Sequence, residues 1–333
     1  MSQLSADAIC RALKKRYKHV EITTINSLSD LRQLIARQPD LVFLGMKYLP
    51  PGSDENQLTT IWLSDYLESA QIAHTGSGSA AHELELNKHL AKRRMLESGL
   101  KTSPFYVSQY DQAVAVDISG LRYPLFVKPT NRGGGQGIAS DSLIHNEQEL
   151  KNKLTSIAAT LQADSLIEEY LPGREFSVAL LEDLSTGALM AMPIELVAPI
   201  DYRGSRLLSQ SVKKSDAEQV LLVASGELRT NVTTLAKNAF HCLGGRDYGR
   251  IDIRLDQYGE PHFLEANLLP SLIGGYGSFP KSSLLNIGLD YEPMIYHIAL
   301  LGLRRQKVFD DPIEIAEDSG SDSLVSLLEP AVS

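Results

Sequence analysis

The sequence predicts an α/β domain followed by two α+β portions. Three observations carry that expectation. Over residues 1–87, short apolar runs alternate with segments of helical periodicity, the pattern of a doubly wound sheet. Over 88–175, strand-like runs crowd together and a Pro-Gly turn interrupts them, as in an antiparallel sheet. Residues 250–267 read as two strands around a tight turn, with long helical stretches before and after.

At 333 residues the chain exceeds the size at which one core usually keeps growing. The expected division is an N-terminal α/β domain at 1–87, a central domain at 88–175 and a C-terminal domain at 176–306. The remainder, 307–333, is acidic and Ser-rich with little periodicity, and is expected to be mostly disordered. The first domain opens on a helix, so it is expected to lack the first strand of its first βα unit.

In the first domain, Ile9, Leu13 and Tyr17 give helical spacing over 6–17, with Ser5 as N-cap. Residues 20–25 alternate like a strand, and 29–36 form a helix capped by Ser29 or Asp30. The runs 41–44 and 72–75 have the apolar character of buried parallel strands, with a helix over 61–70 between them. A basic helix over 87–98 ends at Gly99. Strands follow at 104–107, 125–129, 165–173 and 175–180, with a helix at 146–161. Residues 193–206 look irregular and 212–223 ambiguous. A helix over 226–243 is closed by Gly244 and Gly245, and a final helix covers 289–303.

The net charge of −9 excludes a general nucleic-acid binder, which needs a basic face. Cys10 and Cys242 have no metal-type spacing and suggest a reducing compartment. No signal pattern is present, and the apolar run 298–303 is too short to span a bilayer. A soluble cytoplasmic protein without membrane partners is expected.

The 250–267 hairpin carries the chemistry. Pairing Tyr258 with Gly259 sets Ile253 opposite Leu264 and Ile251 opposite Ala266, one apolar side. The other side then has Asp252 opposite Glu265 and Arg250 opposite Asn267. Opposed like charges destabilise a sheet. Two carboxylates and an amide offer only oxygens, the ligand set of Mg²⁺ holding a phosphate substrate. The alternative is a solvated acidic hairpin.

The glycine stretch 132–137 follows a strand bearing Lys128, so backbone N–H groups could close over an anion beside a cation. It is neither a Walker A motif nor a dinucleotide fingerprint. The alternative is a structural hairpin loop. Lys88 is either a second phosphate cation or a solvated helix lysine. Glu168, Glu169, Tyr170 and Leu171 end a strand that could present backbone groups to a flat heterocycle, and Glu175 could accept from sugar hydroxyls. The alternative there is a pair of exposed glutamates.

Taken in order, these residues resemble the ATP-grasp ligases, most closely the D-alanine–D-alanine ligases. The resemblance rests on Lys88, Phe126-Val127-Lys128-Pro129, the glycine loop, Glu168-Glu169-Tyr170-Leu171, Gly173-Arg174-Glu175-Phe176, Gly249-Arg250-Ile251-Asp252 and Leu264-Glu265-Ala266-Asn267 with Pro270. His74-Thr75-Gly76-Ser77-Gly78 is similar to the family's linker before the first lysine. It implies a three-domain ATP-grasp fold with ATP between the second and third domains, and a cytoplasmic homodimer.

The resemblance also implies roles. Lys88, Lys128 and Arg206 would contact ATP phosphates. Glu168, Glu169 and Leu171 would read adenine, and Glu175 the ribose. Asp252, Glu265 and Asn267 would hold two Mg²⁺, which Mn²⁺ could replace. Arg250, Gly134, Gly135 and Ser278 would act at the reacting groups. The implied reaction joins a carboxylate, such as an amino acid, to an amine through an acyl phosphate, releasing ADP and phosphate.

The substrate half departs from the family. The first strand, whose glutamate holds an ammonium, is not matched, and residues 45–52 replace the following conserved loop. Gly134 stands for a serine, Ser205-Arg206 for a Lys-Tyr pair, and Tyr276-Gly277-Ser278-Phe279 for the carboxylate-gripping segment. Arg203, Arg206, Lys213 and Lys214 supply more positive charge than two alanines need. They point to a substrate with an extra anionic group, or else cover the ATP phosphates. The alternatives to this general ligase are an authentic D-alanine–D-alanine ligase and a nucleotide-binding protein without catalysis.

Overall fold

The computed structural model describes residues 1–53, 57–112, 118–133, 135–201, 204–209, 212, 215 and 217–305. The expected tail at 307–333, Gly134, Arg203, Lys213 and Lys214 lie outside these residues.

The N-terminal part holds α1 (Gln3–Leu13), α2 (Leu28–Ala36), β1 (Tyr48–Leu49), β2 (Ile61–Trp62), α3 (Leu63–Ser69) and α4 (Ser79–Leu86). Helix α1 starts earlier than expected because Ser2, not Ser5, caps it: the Ser2 hydroxyl accepts from Ser5 N, and Ser5 is buried inside the helix. Ser27 caps α2, and Asp30 is its reciprocal capping-box partner. The parallel pairing expected between 41–44 and 72–75 is present as one bridge, Val42 to His74, with Val42 N donating to Ala73 O and Thr75 N to Val42 O. Residues 20–25 form no strand, since no neighbour among the described residues pairs with them. Trp62 stays extended to pair with Tyr48, so the helix expected from 61 begins at Leu63.

The central part contains α5 (Lys88–Glu97), β3 (Phe105–Ser108), β4 (Leu125–Pro129), β5 (Leu143–Ile144), α6 (Glu147–Leu161) and β6 (Ser165–Glu169). Its antiparallel sheet has the order β3-β6-β4-β5. Period-two alternation sorts β4: Leu125 and Val127 pack with Leu150, Leu154 and Ile157 of α6, while Phe126 and Lys128 face a cleft. Asn146 caps α6 through Glu149 N.

The second sheet, ordered β11-β10-β7-β8-β9, comprises β7 (Glu175–Glu182), β8 (Leu189–Val197), β9 (Gln219–Leu222), β10 (Tyr248–Leu255) and β11 (Pro261–Asn267). Helix α7 (Glu227–Cys242) covers one face, packing on Phe176, Val178, Leu180, Ile251 and Ile253. Helices α8 (Ser278–Ile287) and α9 (Tyr291–Arg305) cover the other, around Ala179, Leu181 and Tyr248. Strand β8 runs through Pro193, where irregular structure was expected. Strand β9 pairs only from Ile194 onward, so Pro193 lies at a sheet edge, where a missing N–H is tolerated. Helices α4 and α8 carry no long apolar stripe and were missed from periodicity.

The β10–β11 register differs from expectation in an informative way. Asp256 N donates to Glu260 O and Gly259 N to Asp256 O, with Gly259 at φ +84°, so the loop has three residues rather than two. Ile253 therefore faces Phe263, not Leu264. A bulge between Asp252 and Ile253 then restores the expected pairs Asp252–Glu265, Ile251–Ala266 and Arg250–Asn267. Leu264 leaves the core and lines the cleft.

Gly173 sits where the two sheets approach, donating to Leu255 O. A Cβ there would lie 2.6 Å from Leu255 O and 2.7 Å from Leu255 Cβ. Gly173→Ala is expected to cost about 1–3 kcal/mol through overpacking, read as a lower urea midpoint.

Candidate active site

The cleft lies between the two sheets. Phe126, Ile138, Tyr170, Leu171, Leu207, Leu208 and Leu264 give it apolar walls, and Lys128, Glu168, Glu175, Asp252, Arg254 and Glu265 give it charge.

One wall is built on β4 and β6. Lys128 Nζ lies 2.8 Å from Glu168 Oε1, and Lys92 Nζ of α5 lies 2.9 Å from Glu168 Oε2. All three side chains are buried. Burial alone would raise the Glu168 pKa, but Lys128 and Lys92 outweigh it and pull the carboxyl down to about 2. Glu168 thus holds lysines with both oxygens, so the expected adenine-reading side chain is already engaged. Glu169 also lines the cleft, and its carboxylate is held by Arg122 at 3.0 Å. Leu171 lies beyond the end of β6 and lines the cleft.

The other wall is the hairpin. Arg250 donates to both oxygens of Asp252 at 3.0 and 2.8 Å, and to Ser278 Oγ at 3.0 Å. Despite burial, Asp252 raises the Arg250 pKa and keeps it charged. Ser177 Oγ donates to Asp252 Oδ1 at 2.9 Å. Ser278 sits at the first turn of α8, beside the guanidinium.

Lys88, at the first turn of α5, donates to Arg132 O of the glycine loop and lies 3.9 Å from Glu265 Oε2. Burial lowers its pKa against the opposing pull of Glu265. It is buried beside Glu265 at the edge of the cleft and is not a solvated helix lysine. Gly135 and Gly137 of the loop both adopt positive φ, and a Cβ on Gly137 would meet Pro129 at 2.7 Å, so this turn needs glycine.

Glu175 accepts from Arg254 at 2.9 Å, and Arg254 also donates to Tyr170 Oη and Arg206 O. Arg206 itself is exposed and its guanidinium donates to Ala198 O, so it does not line the cleft. Arg254, Ser177 and Lys92 were not singled out from sequence. Alternation along β10 would have found Arg254, two residues from Asp252.

The donor set suits a hard cation. Asp252 and Glu265 are opposed, and the buried Asn267 Nδ2 has no hydrogen-bond partner among the described residues. Amide O and N are interchangeable in position, so Asn267 can turn an oxygen into the site. No cluster of three His, Cys, Asp or Glu side chains suited to a metal occurs among the described residues, so any ion here would also need ligand oxygens from a substrate.

A family profile for the D-ala D-ala ligase C-terminus matches residues 98–299. The chain belongs to the D-alanine–D-alanine ligase family. A D-alanine–D-alanine ligase of Bordetella petrii is 33% identical over 275 residues, covering 80% of this chain and 77% of the relative. One of Geobacter sulfurreducens is 25% identical over 303 residues, covering 90% and 89%. The crystal structure of D-alanine–D-alanine ligase from Bacillus anthracis complexed with ATP superposes with a TM-score of 0.71 at 20% identity, covering 92% of this chain and 94% of that one. The expected family and its ATP-grasp fold therefore hold. No helix among the described residues of this family member is long and apolar enough to cross a membrane.

Glu168 gives a pH signature. Its folded pKa of about 2 lies below the ordinary 4.5, so between these values the unfolded chain binds the extra proton. The stability it confers is present above pH 4.5 and is lost as pH falls toward 2. Urea unfolding from about pH 6 to about pH 3 should show an acid-side loss that is shallower in Glu168→Gln.

Proposed function

We propose that this protein is an ATP-dependent ligase that joins the carboxylate of an amino acid or related small acid to an amine. The observation that carries the reading is the opposed Asp252–Glu265 pair, with Arg250 on Asp252, Lys88 3.9 Å from Glu265 and Lys128 lining the same cleft. Carboxylates held together against repulsion beside three cations fit a site for a metal-bound polyphosphate.

In this reading ATP lies between the second and third of three domains, at 88–175 and 176–306, behind the domain at 1–87. The apolar slot of Phe126, Leu171 and Leu264 takes the base. Glu175, fixed by Arg254, accepts from the ribose. Lys88 and Lys128 hold the phosphates, and the loop at Gly135 closes over them. Asp252, Glu265 and Asn267 would hold Mg²⁺, which when bound neutralises phosphate charge.

The substrate carboxylate attacks the γ-phosphorus, giving an acyl phosphate and ADP. The amine attacks the acyl carbon, the C–O bond breaks, and phosphate and a proton leave with the amide formed. Arg250, anchored by Asp252 and Ser278, offsets charge on the phosphoryl group and on the tetrahedral intermediate. The buried walls exclude water that would hydrolyse the acyl phosphate.

The relatives' names favour a second reading, D-alanyl-D-alanine synthesis. Screening pairs of amino acids and small acids for ATP-dependent phosphate release, with mass spectrometry of the product, separates the two. Amide formation with any pair supports the ligase, and D-alanine as best substrate for both positions selects the second reading. Absence of an amide product with every pair contradicts both. Size-exclusion chromatography with light scattering tests the homodimer.

Two substitutions test the walls. Glu265→Gln is expected to abolish turnover while leaving the fold intact or slightly more stable, since it relieves the repulsion with Asp252. Turnover at the wild-type rate would remove the hairpin from the site. Lys128→Met is expected to raise the apparent KM for ATP at least about ten-fold, because a charged phosphate contact is lost. An unchanged KM would remove Lys128 from the phosphates.

A further inference from the structure

Lys92 belongs to none of the roles above, yet it is the most completely buried cation of the site, with no exposed surface. Its three neighbours are all acceptors. Thr102 Oγ1 lies at 2.6 Å, Ser103 Oγ at 2.9 Å and Glu168 Oε2 at 2.9 Å. Each hydroxyl spends its own proton elsewhere: Thr102 donates to Phe263 O of β11, and Ser103 to Glu168. Both must therefore accept from Lys92. Three acceptors around one nitrogen are what an ammonium group needs, and a neutral amine would leave one of them unserved. The connection also spans the fold, joining α5, the Thr102–Ser103 linker, β6 and β11, and so both walls of the cleft.

The charge count gives this a purpose. Glu168 is one carboxylate between two ammonium groups. Without Lys92, Glu168 would cancel Lys128, and of the two buried phosphate lysines only Lys88 would keep its charge uncancelled by Glu168. With Lys92 present, the buried trio carries one net positive charge, and a net charge so shielded from solvent attracts an anion strongly.

We propose that Lys92 is a positioning residue for polyphosphate binding: it engages Glu168 so that Lys128 keeps its charge available to the nucleotide. The proposal rests on the ligase reading for the identity of the ligand. Burial opposes the charged form of Lys92 and lowers its pKa, with Glu168 acting the other way.

The test is calorimetric titration of adenosine, ADP and ATP into wild type, Lys92→Gln and the double variant Lys92→Gln/Glu168→Gln. Lys92→Gln keeps hydrogen-bonding groups and removes the charge, so the trio becomes neutral. ATP affinity should fall about ten-fold, ADP less, and adenosine should hold within about two-fold, since only phosphates sense the missing charge. The double variant restores one net positive charge on Lys128 and should recover most of the ATP affinity. It also leaves no uncompensated carboxylate in the core, so it remains informative if the single variant unfolds.

A purely structural lysine predicts otherwise. Adenosine and ATP would then weaken together, or the double variant would bind ATP no better than the single one, and either result overturns the proposal. So does wild-type ATP affinity in Lys92→Gln. Wild-type protein that binds no nucleotide would overturn the ligase reading itself, a failure visible before any variant is made.

Discussion

Lys128 and Lys92 share the carboxylate of Glu168 in a space closed to water. Each of these charges would be costly alone, and the cost is offset only when both lysines reach the same two oxygens. That requirement fixes much else. Strand β6 must pair with β4 so that Glu168 and Lys128 emerge on one face, and α5 must lie so that Lys92 reaches them from behind. The same helix carries Lys88 at its first turn, facing the hairpin. Removing one partner would leave a buried charge unmatched, whereas exchanging the trio for apolar residues would keep the fold and lose the cation.

The hairpin solves a different problem. Its three-residue loop shifts the strands by one position, which would separate Asp252 from Glu265. The bulge shifts them back. Local turn chemistry and the placement of the two carboxylates are thus reconciled by one extra residue, and Leu264 is released to line the cleft. Arg250 then binds Asp252 through two hydrogen bonds, so the strand that presents the carboxylate also presents the cation beside it.

Much of this was legible in the sequence. Alternation located β4, β7 and β10, and turn residues located the hairpin. The opposed carboxylates followed from the apolar side of the same two strands. What escaped did so for physical reasons. Two-residue strands such as β1 and β2 are too short to show a period, and α4 and α8 bury too narrow a stripe. The bulge leaves no mark because either register buries apolar residues. Lys92 sits among other basic residues of α5, and nothing in its spacing separates a buried lysine from a solvated one. Glu168 was found, but its occupation by two lysines depends on a helix distant in sequence. Arg206 was expected at the phosphates, and its guanidinium instead caps the carbonyl of Ala198.

The central claim is that the two sheets enclose a nucleotide whose phosphates meet the hairpin carboxylates through metal ions. The most direct measurement is a crystal structure with a non-hydrolysable ATP analogue and Mg²⁺. The account predicts the base between Phe126, Leu171 and Leu264, the phosphates beside Lys88 and Lys128, and metal density bounded by Asp252, Glu265 and Asn267. A nucleotide bound outside this cleft, or phosphates in the cleft with no metal at the hairpin, would contradict it.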